Sequence, residues 1–121
     1  MTRFLKSLGW AFSGLRQAAA SQPNMKIHLA VALLIFIVCV LWLKMPATEL
    51  AIVCIAVFMV LAAEVFNTAI EAAVDLTTTA KHPLAKAAKD AAAGAVLLTV
   101  LNALAVAYLL IWPHLRDQIA R

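Results

Sequence analysis

Apolar residues in this chain run together rather than alternate. The stretch "IHLAVALLIFIVCVLWL", Ile27 to Leu43, holds no charged side chain. A second run begins near Glu49, stays apolar to Ala63 and continues as a polar-striped helix through Asp75. A third, "AAAGAVLLTVLNALAVAYLLIW", extends from Ala91 to Trp112. A bilayer-crossing helix needs about 20 predominantly apolar residues, so the pattern predicts membrane helices over 27–43, 49–75 and 84–112, the first slightly short. The links are brief. Pro46 is expected to end the first span, with Thr48 capping the next, and Pro83 suits the first turn of the third. Ahead of the spans, Phe4, Leu8, Ala11, Phe12 and Leu15 recur at helical spacing, with Arg3, Lys6, Ser13 and Gln17 on another face. That predicts an amphipathic helix over 2–22 lying in the membrane interface. Gly9 and Gly14 weaken it as a helix but permit a neighbour to approach closely.

Composition agrees with this reading. Of 121 residues, 65% are hydrophobic and 13% charged, too apolar for a soluble globule and short enough for a single domain, 1–121. The expected class is an all-α integral membrane protein. The net charge of +4 does not point to nucleic acid, because the basic residues flank apolar runs instead of interleaving with exposed aromatics. Counting Lys and Arg by side gives Arg3, Lys6, Arg16, Lys26, Lys81, Lys86 and Lys89 against Lys44, Arg116 and Arg121. Seven to three favours a cytoplasmic N-terminus and an outward C-terminus. Cys39 and Cys54 lie in apolar runs and read as small hydrophobes. The first twenty residues lack the apolar core and cleavage site of a signal peptide.

Candidate chemistry begins where the second run ends, in "EVFNTAIEAAVDL". At about 100° per residue, Glu64, Asn67, Glu71 and Asp75 fall within a sector of roughly 80°, on one face of one helix. At about 1.5 Å per residue, Glu64 lies roughly 22 Å inward from Glu49, Glu71 roughly 33 Å and Asp75 roughly 39 Å. In a hydrocarbon core about 30 Å thick, Glu64 is just beneath the inner interface, while Glu71 and Asp75 emerge from it. A carboxylate at that depth, beside a membrane-embedded hydroxyl, suits Glu64 to act as a general base. A carboxylate at the water's edge can hold Mg²⁺, which takes hard oxygen ligands together with phosphate oxygens and water; Glu71 fits that role. Together they suggest phosphorylation of a membrane-embedded hydroxyl by a soluble donor. Their alternative use is to bind helices together, although intramembrane ionisable groups are functional by default.

A second polar cluster, "KHPLAKAAKDAAAG", offers Lys81, His82, Lys86, Lys89 and Asp90. Lys86, Lys89 and Asp90 stand three or four apart and can share a face, gripping phosphates or serving as positive-inside anchors. Three glycines, Gly9, Gly14 and Gly94, rule out a glycine-rich nucleotide loop, leaving carboxylates, Mg²⁺ and lysines to hold ATP. His28, His82 and His114 lack metal-site spacing, and Asn102 is expected to hydrogen-bond a neighbouring helix.

These motifs carry a resemblance. "AEVFNTAIEAAVD" matches the Glu-x-x-Asn-Ser/Thr-x-x-Glu-x-x-x-Asp signature of the small prokaryotic diacylglycerol kinase family. "AKDAAAGAVLL" resembles the corresponding motif of its undecaprenol kinase branch, and "GWAFSGL" and "LLIWPH" are also similar to the family. The resemblance implies a homotrimer of three-span protomers in the bacterial inner membrane, transferring the γ-phosphate of ATP to a lipid alcohol at sites between protomers. It implies Glu64 as catalytic base, Glu71 as metal ligand, Asn67 and Asp75 as active-site support, and Lys89 with Asp90 as the nucleotide-binding pair. Arg3, Trp10, Lys81 and His82 align with weaker nucleotide contacts. One departure is Gln22, where the family usually places a second metal-binding glutamate. An amide oxygen can coordinate Mg²⁺ but brings no charge. Undecaprenol is the expected acceptor, diacylglycerol the second, and a catalytically silenced membrane assembly or partner protein the reading from another class.

Overall fold

The computed structural model describes residues 2–78 and 80–120, which form five α-helices and two π turns and no strand. Helix α1 covers Thr2–Ser21, α2 Pro23–Ile37, α3 Ala47–Thr77, α4 Pro83–Val106 and α5 Trp112–Ile119. Among the described residues, three stretches are long and apolar enough to cross a membrane: Pro23–Trp42, Ala47–Thr77 and Pro83–Ile119.

The first span starts earlier than its apolar run. Gln22 is extended, and Pro23 occupies the opening turn of α2, where its missing N–H costs nothing. The span then loosens into a π turn, Val38–Trp42, in which the Leu43 N–H donates to the Val38 carbonyl at 2.9 Å. Lys44 at φ 49° stands in the left-handed region and stops the helix. Pro46 therefore does not end the first span. It is the residue before α3, whose start carries no side-chain cap; Thr48 lies inside the first turn rather than capping it. The Met45 N–H bonds back to Cys39, holding the link against the helix it leaves.

A second π turn, Ala107–Ile111, interrupts the third span. It explains how the helical path outlasts the expected end at Trp112. Pro113 would clash with the carbonyl one turn earlier in an unbroken α-helix; after the π turn it sits in the opening turn of α5.

A core at the end of the bundle away from Glu71 is formed by Cys39, Leu43, Met45 and Val53, packed against Val57, Val106, Leu110 and Leu115. Cys39 and Cys54 are free thiols. Beside this core, His114 Nε2 lies 2.7 Å from Glu49 Oε2, tying α5 to the start of α3 across 65 residues of sequence. Both side chains are about one-third exposed, 33% and 31%. At that exposure the pair is expected to contribute about 0.5–1 kcal/mol. A double-mutant cycle of Glu49→Ala and His114→Ala, read by thermal unfolding in detergent, measures it; additive losses would show that the two side chains do not interact.

Helix α3 is the central element. Val53, Ala56, Val60, Glu64 and Asn67 recur every three or four residues and form its buried stripe. Its 31 residues extend roughly 46 Å, longer than a hydrocarbon core of about 30 Å, so one end must project into water. Helix α4 makes the most extensive packing against α3, with Ala92 buried, and α1 packs on α2 and α3 through Ala18. Phe4, Trp10, Phe12 and Leu15 of α1 are exposed, and nothing approaches within 4 Å of a Cβ built at Gly9 or Gly14, so no close neighbour within the chain uses those glycines.

Candidate functional site

The polar residues of α3 separate by burial as the helix rises out of its apolar run. Glu64 is 1% exposed and Asn67 6%; Glu71 is half-buried, and Asp75 is exposed. Thr68 donates its hydroxyl to the Glu64 carbonyl at 2.8 Å, closing on the backbone and leaving the carboxylate alone. Among the described residues, Glu64 Oε1 and Asn67 Oδ1 have no hydrogen-bond partner. Burying an acceptor unpaired costs about 1–3 kcal/mol, so two such atoms one turn apart on one face mark a place kept for a donor. The other end of the Asn67 amide is occupied, with Nδ2 donating to Glu71 Oε1 at 3.2 Å. One amide thus fixes the Glu71 carboxylate and leaves its own oxygen free.

Beyond Glu71, the break between α3 and α4 opens as a basin of about 700 Å³. Asp75, Lys81, His82, Lys89 and Asp90 line it, as do Thr78 and Lys86. His82 has a local duty there, since its Nδ1 accepts the Leu84 N–H at 3.2 Å and caps α4. Lys86, Lys89 and Asp90 do not act as one cluster. Lys86 pairs with Asp90 along α4, whereas Lys89 Nζ reaches across to Asp75 Oδ1 at 2.6 Å and joins the two helices. Three lysines against two carboxylates leave the basin cationic, suited to a polyanion.

Other candidates lie elsewhere. Arg3 and Trp10 are exposed on α1, and neither they nor Gln22 line the basin. Lys86 was legible as a residue four before Asp90; Thr78 carried no signal. Asn102 is exposed on α4, without a hydrogen-bond partner among the described residues.

A hard divalent cation suits the donors present. Glu71 offers a carboxylate at the polar end of α3, and no group of three His, Cys, Asp or Glu side chains converges among the described residues. That donor set fits Mg²⁺ as held in phosphoryl-transfer sites, by one or two carboxylates with substrate phosphates and water.

Fold and site together define a small helical integral membrane protein with buried acceptors partway along its longest helix and a cationic basin at the end of that helix. Comparison with known proteins narrows that class. The family model for prokaryotic diacylglycerol kinase matches residues 9–111. The chain is 37% identical to the undecaprenol kinase of Bacillus subtilis (strain 168), covering 95% of this chain and 93% of that one. It is 33% identical to the diacylglycerol kinase of Escherichia coli (strain K12), covering 93% and 92%. The chain belongs to the prokaryotic diacylglycerol kinase family. It is a lipid kinase, a phosphotransferase with an alcohol acceptor and ATP as co-substrate.

Proposed function

We propose that the protein phosphorylates undecaprenol, with Glu64 as the base that accepts the hydroxyl proton. The observation that carries the reading is the pair of buried, unpartnered oxygens, Glu64 Oε1 and Asn67 Oδ1, on the α3 face that leads to the cationic basin. A lipid hydroxyl supplies the donor they lack. As the proton passes to Glu64, the hydroxyl oxygen attacks the γ-phosphorus of ATP and the bond to the β-phosphate oxygen breaks, releasing ADP. Lys89, held by Asp75, offsets the charge that gathers on the phosphoryl oxygens. Asp90 with Lys86, Lys81 and His82 borders the nucleotide, while Arg3 and Trp10 reach it from α1 of the same or a neighbouring copy. Glu71, oriented by Asn67, and Gln22 are the residues to hold Mg²⁺, which would neutralise phosphate charge when bound.

The choice of undecaprenol rests on the resemblance of "AKDAAAGAVLL" to the undecaprenol kinase branch and on the 37% identity to the Bacillus relative along nearly its whole length; the diacylglycerol kinases of Escherichia coli, at 33%, and Synechocystis, at 38% over 63% of that chain, supply diacylglycerol as the second reading. The Lys and Arg distribution supports placing this end in the cytoplasm, with α1 in the membrane interface, the chain as one domain and the C-terminus outside. Self-association is supported by Asn102, an amide exposed on an apolar helix that another copy could satisfy, and by the apolar surface left on every span; the family resemblance supports three copies. Cross-linking in detergent reads the copy number directly.

The test is phosphate transfer from labelled ATP, in Mg²⁺-containing micelles, to undecaprenol and diacylglycerol in parallel, with Glu64→Gln as the blank. Faster transfer to undecaprenol supports the reading. Preference for diacylglycerol selects the second acceptor, and no transfer from folded, oligomeric protein favours the silenced assembly protein. Gln22 adds a prediction. Restoring the missing charge with Gln22→Glu is expected to lower the Mg²⁺ concentration for half-maximal rate severalfold, and an unchanged Mg²⁺ titration would remove Gln22 from the metal site.

A further inference from the structure

Alongside the turn of α3 that carries Glu64, a groove of about 620 Å³ runs between α1, α2 and α3. Its walls are almost wholly apolar, with Phe12 from α1, Leu29 from α2, and Phe58, Leu61 and Phe66 from α3. Among the described residues, the single charged one that lines it is Arg16. Arg16 is exposed, and no carboxylate pairs with it among the described residues. From Phe58 to Phe66 the groove follows about 12 Å of helix, and Leu61 and Val65 bracket Glu64 in sequence.

We propose that this groove holds the lipid monophosphate product, with its hydrocarbon against the phenylalanines and its phosphate on the Arg16 guanidinium. The inference rests on the lipid kinase reading above and extends it to the step after transfer. Charge complementarity selects the occupant. A neutral alcohol gains nothing from a guanidinium, whereas a phosphate monoester gains charge-assisted, bidentate hydrogen bonds. The same monoester is repelled by the Glu71 carboxylate, and by Glu64 once that residue has released the proton it accepted. Phosphorylation therefore reverses the preference of the lipid head, which moves away from α3 and onto α1. Arg16 thereby clears Glu64 for the next acceptor and makes the enzyme sensitive to its own product. A bilayer phospholipid fits less well, because its phosphodiester carries less charge and has a substituent on the side that the fork must approach.

Binding tests the proposal apart from catalysis. In the Glu64→Gln background, radiolabelled farnesyl monophosphate and farnesol are bound in micelles of neutral detergent. Arg16→Gln is expected to weaken monophosphate binding about tenfold and leave farnesol binding within about twofold, with Arg16→Lys intermediate. Retained farnesol binding also shows that the variant is folded. Equal monophosphate binding with and without Arg16 would overturn the proposal, as would displacement of the monophosphate by equimolar phosphatidylglycerol. In the active enzyme, added farnesyl monophosphate should inhibit transfer less in Arg16→Gln. Because binding is read without turnover, it stays informative even if the transfer assay rejects the kinase reading.

Discussion

Replacing Glu64 by glutamine is expected to depress turnover by about 10²–10⁴-fold, the contribution of a positioned general base, while nucleotide affinity stays within about twofold. Glu64 is 1% exposed and its Oε1 lacks a partner, so it makes no contact with the basin that the substitution would break. Glutamine keeps the shape and one acceptor oxygen, turns the other end into an N–H donor, and removes the charge and the capacity to take a proton. The variant should therefore fold and oligomerise as the parent does. The two measurements are the rate of phosphate transfer under saturating ATP and lipid, and the dissociation constant for a non-hydrolysable nucleotide. A large loss of nucleotide binding would place Glu64 among the groups that hold the donor. A rate within a few-fold of the parent would leave the lipid hydroxyl to be deprotonated by another group, of which Glu71 is next along the same face.

The parts of the molecule legible in sequence are those governed by local periodicity. Three apolar runs announced three membrane-capable helices, and an angular count of 100° per residue placed Glu64, Asn67, Glu71 and Asp75 on one face. Counting rise per residue concerned depth in a bilayer; the packing that buries Glu64 and leaves Asp75 exposed was not legible in that count. What escaped is set by packing between segments. Neither π turn has a composition signal: "VCVLW" and "AYLLI" are ordinary apolar pentapeptides whose extra residue is accommodated where the three spans meet around Cys39 and Val53. Pro113 hinted at a break near Trp112 but not that the helix would resume behind it. Pro46 seemed sufficient to end the first span; a left-handed Lys44, which sequence rarely reveals, stops it two residues earlier. Spacing along α4 grouped Lys86, Lys89 and Asp90, but it could not foresee that Lys89 would instead reach Asp75, fourteen residues away on the preceding helix.

That cross-helix pair separates a charge used in the reaction from a charge used only to hold helices together. Lys89→Met is expected to lower kcat/KM for ATP by about 10²-fold, since the site loses a cation aimed at developing phosphoryl charge and Asp75 loses its partner. Asp75→Asn removes the same ion pair but leaves the lysine in the basin. If Lys89 acts on the nucleotide, Asp75→Asn should cost no more than about tenfold, in line with the modest worth of an exposed ion pair and some loss of lysine orientation. The exposure of the pair, 37% and 60% by side chain, argues against a large structural penalty in either variant. Steady-state rates at varied ATP, with thermal unfolding of both variants, provide the comparison. Equal losses in the two, accompanied by equal falls in Tm, would make the pair a strut between α3 and α4. A much larger loss in Lys89→Met at matched stability assigns the lysine to phosphate, with Asp75 as the residue that positions it.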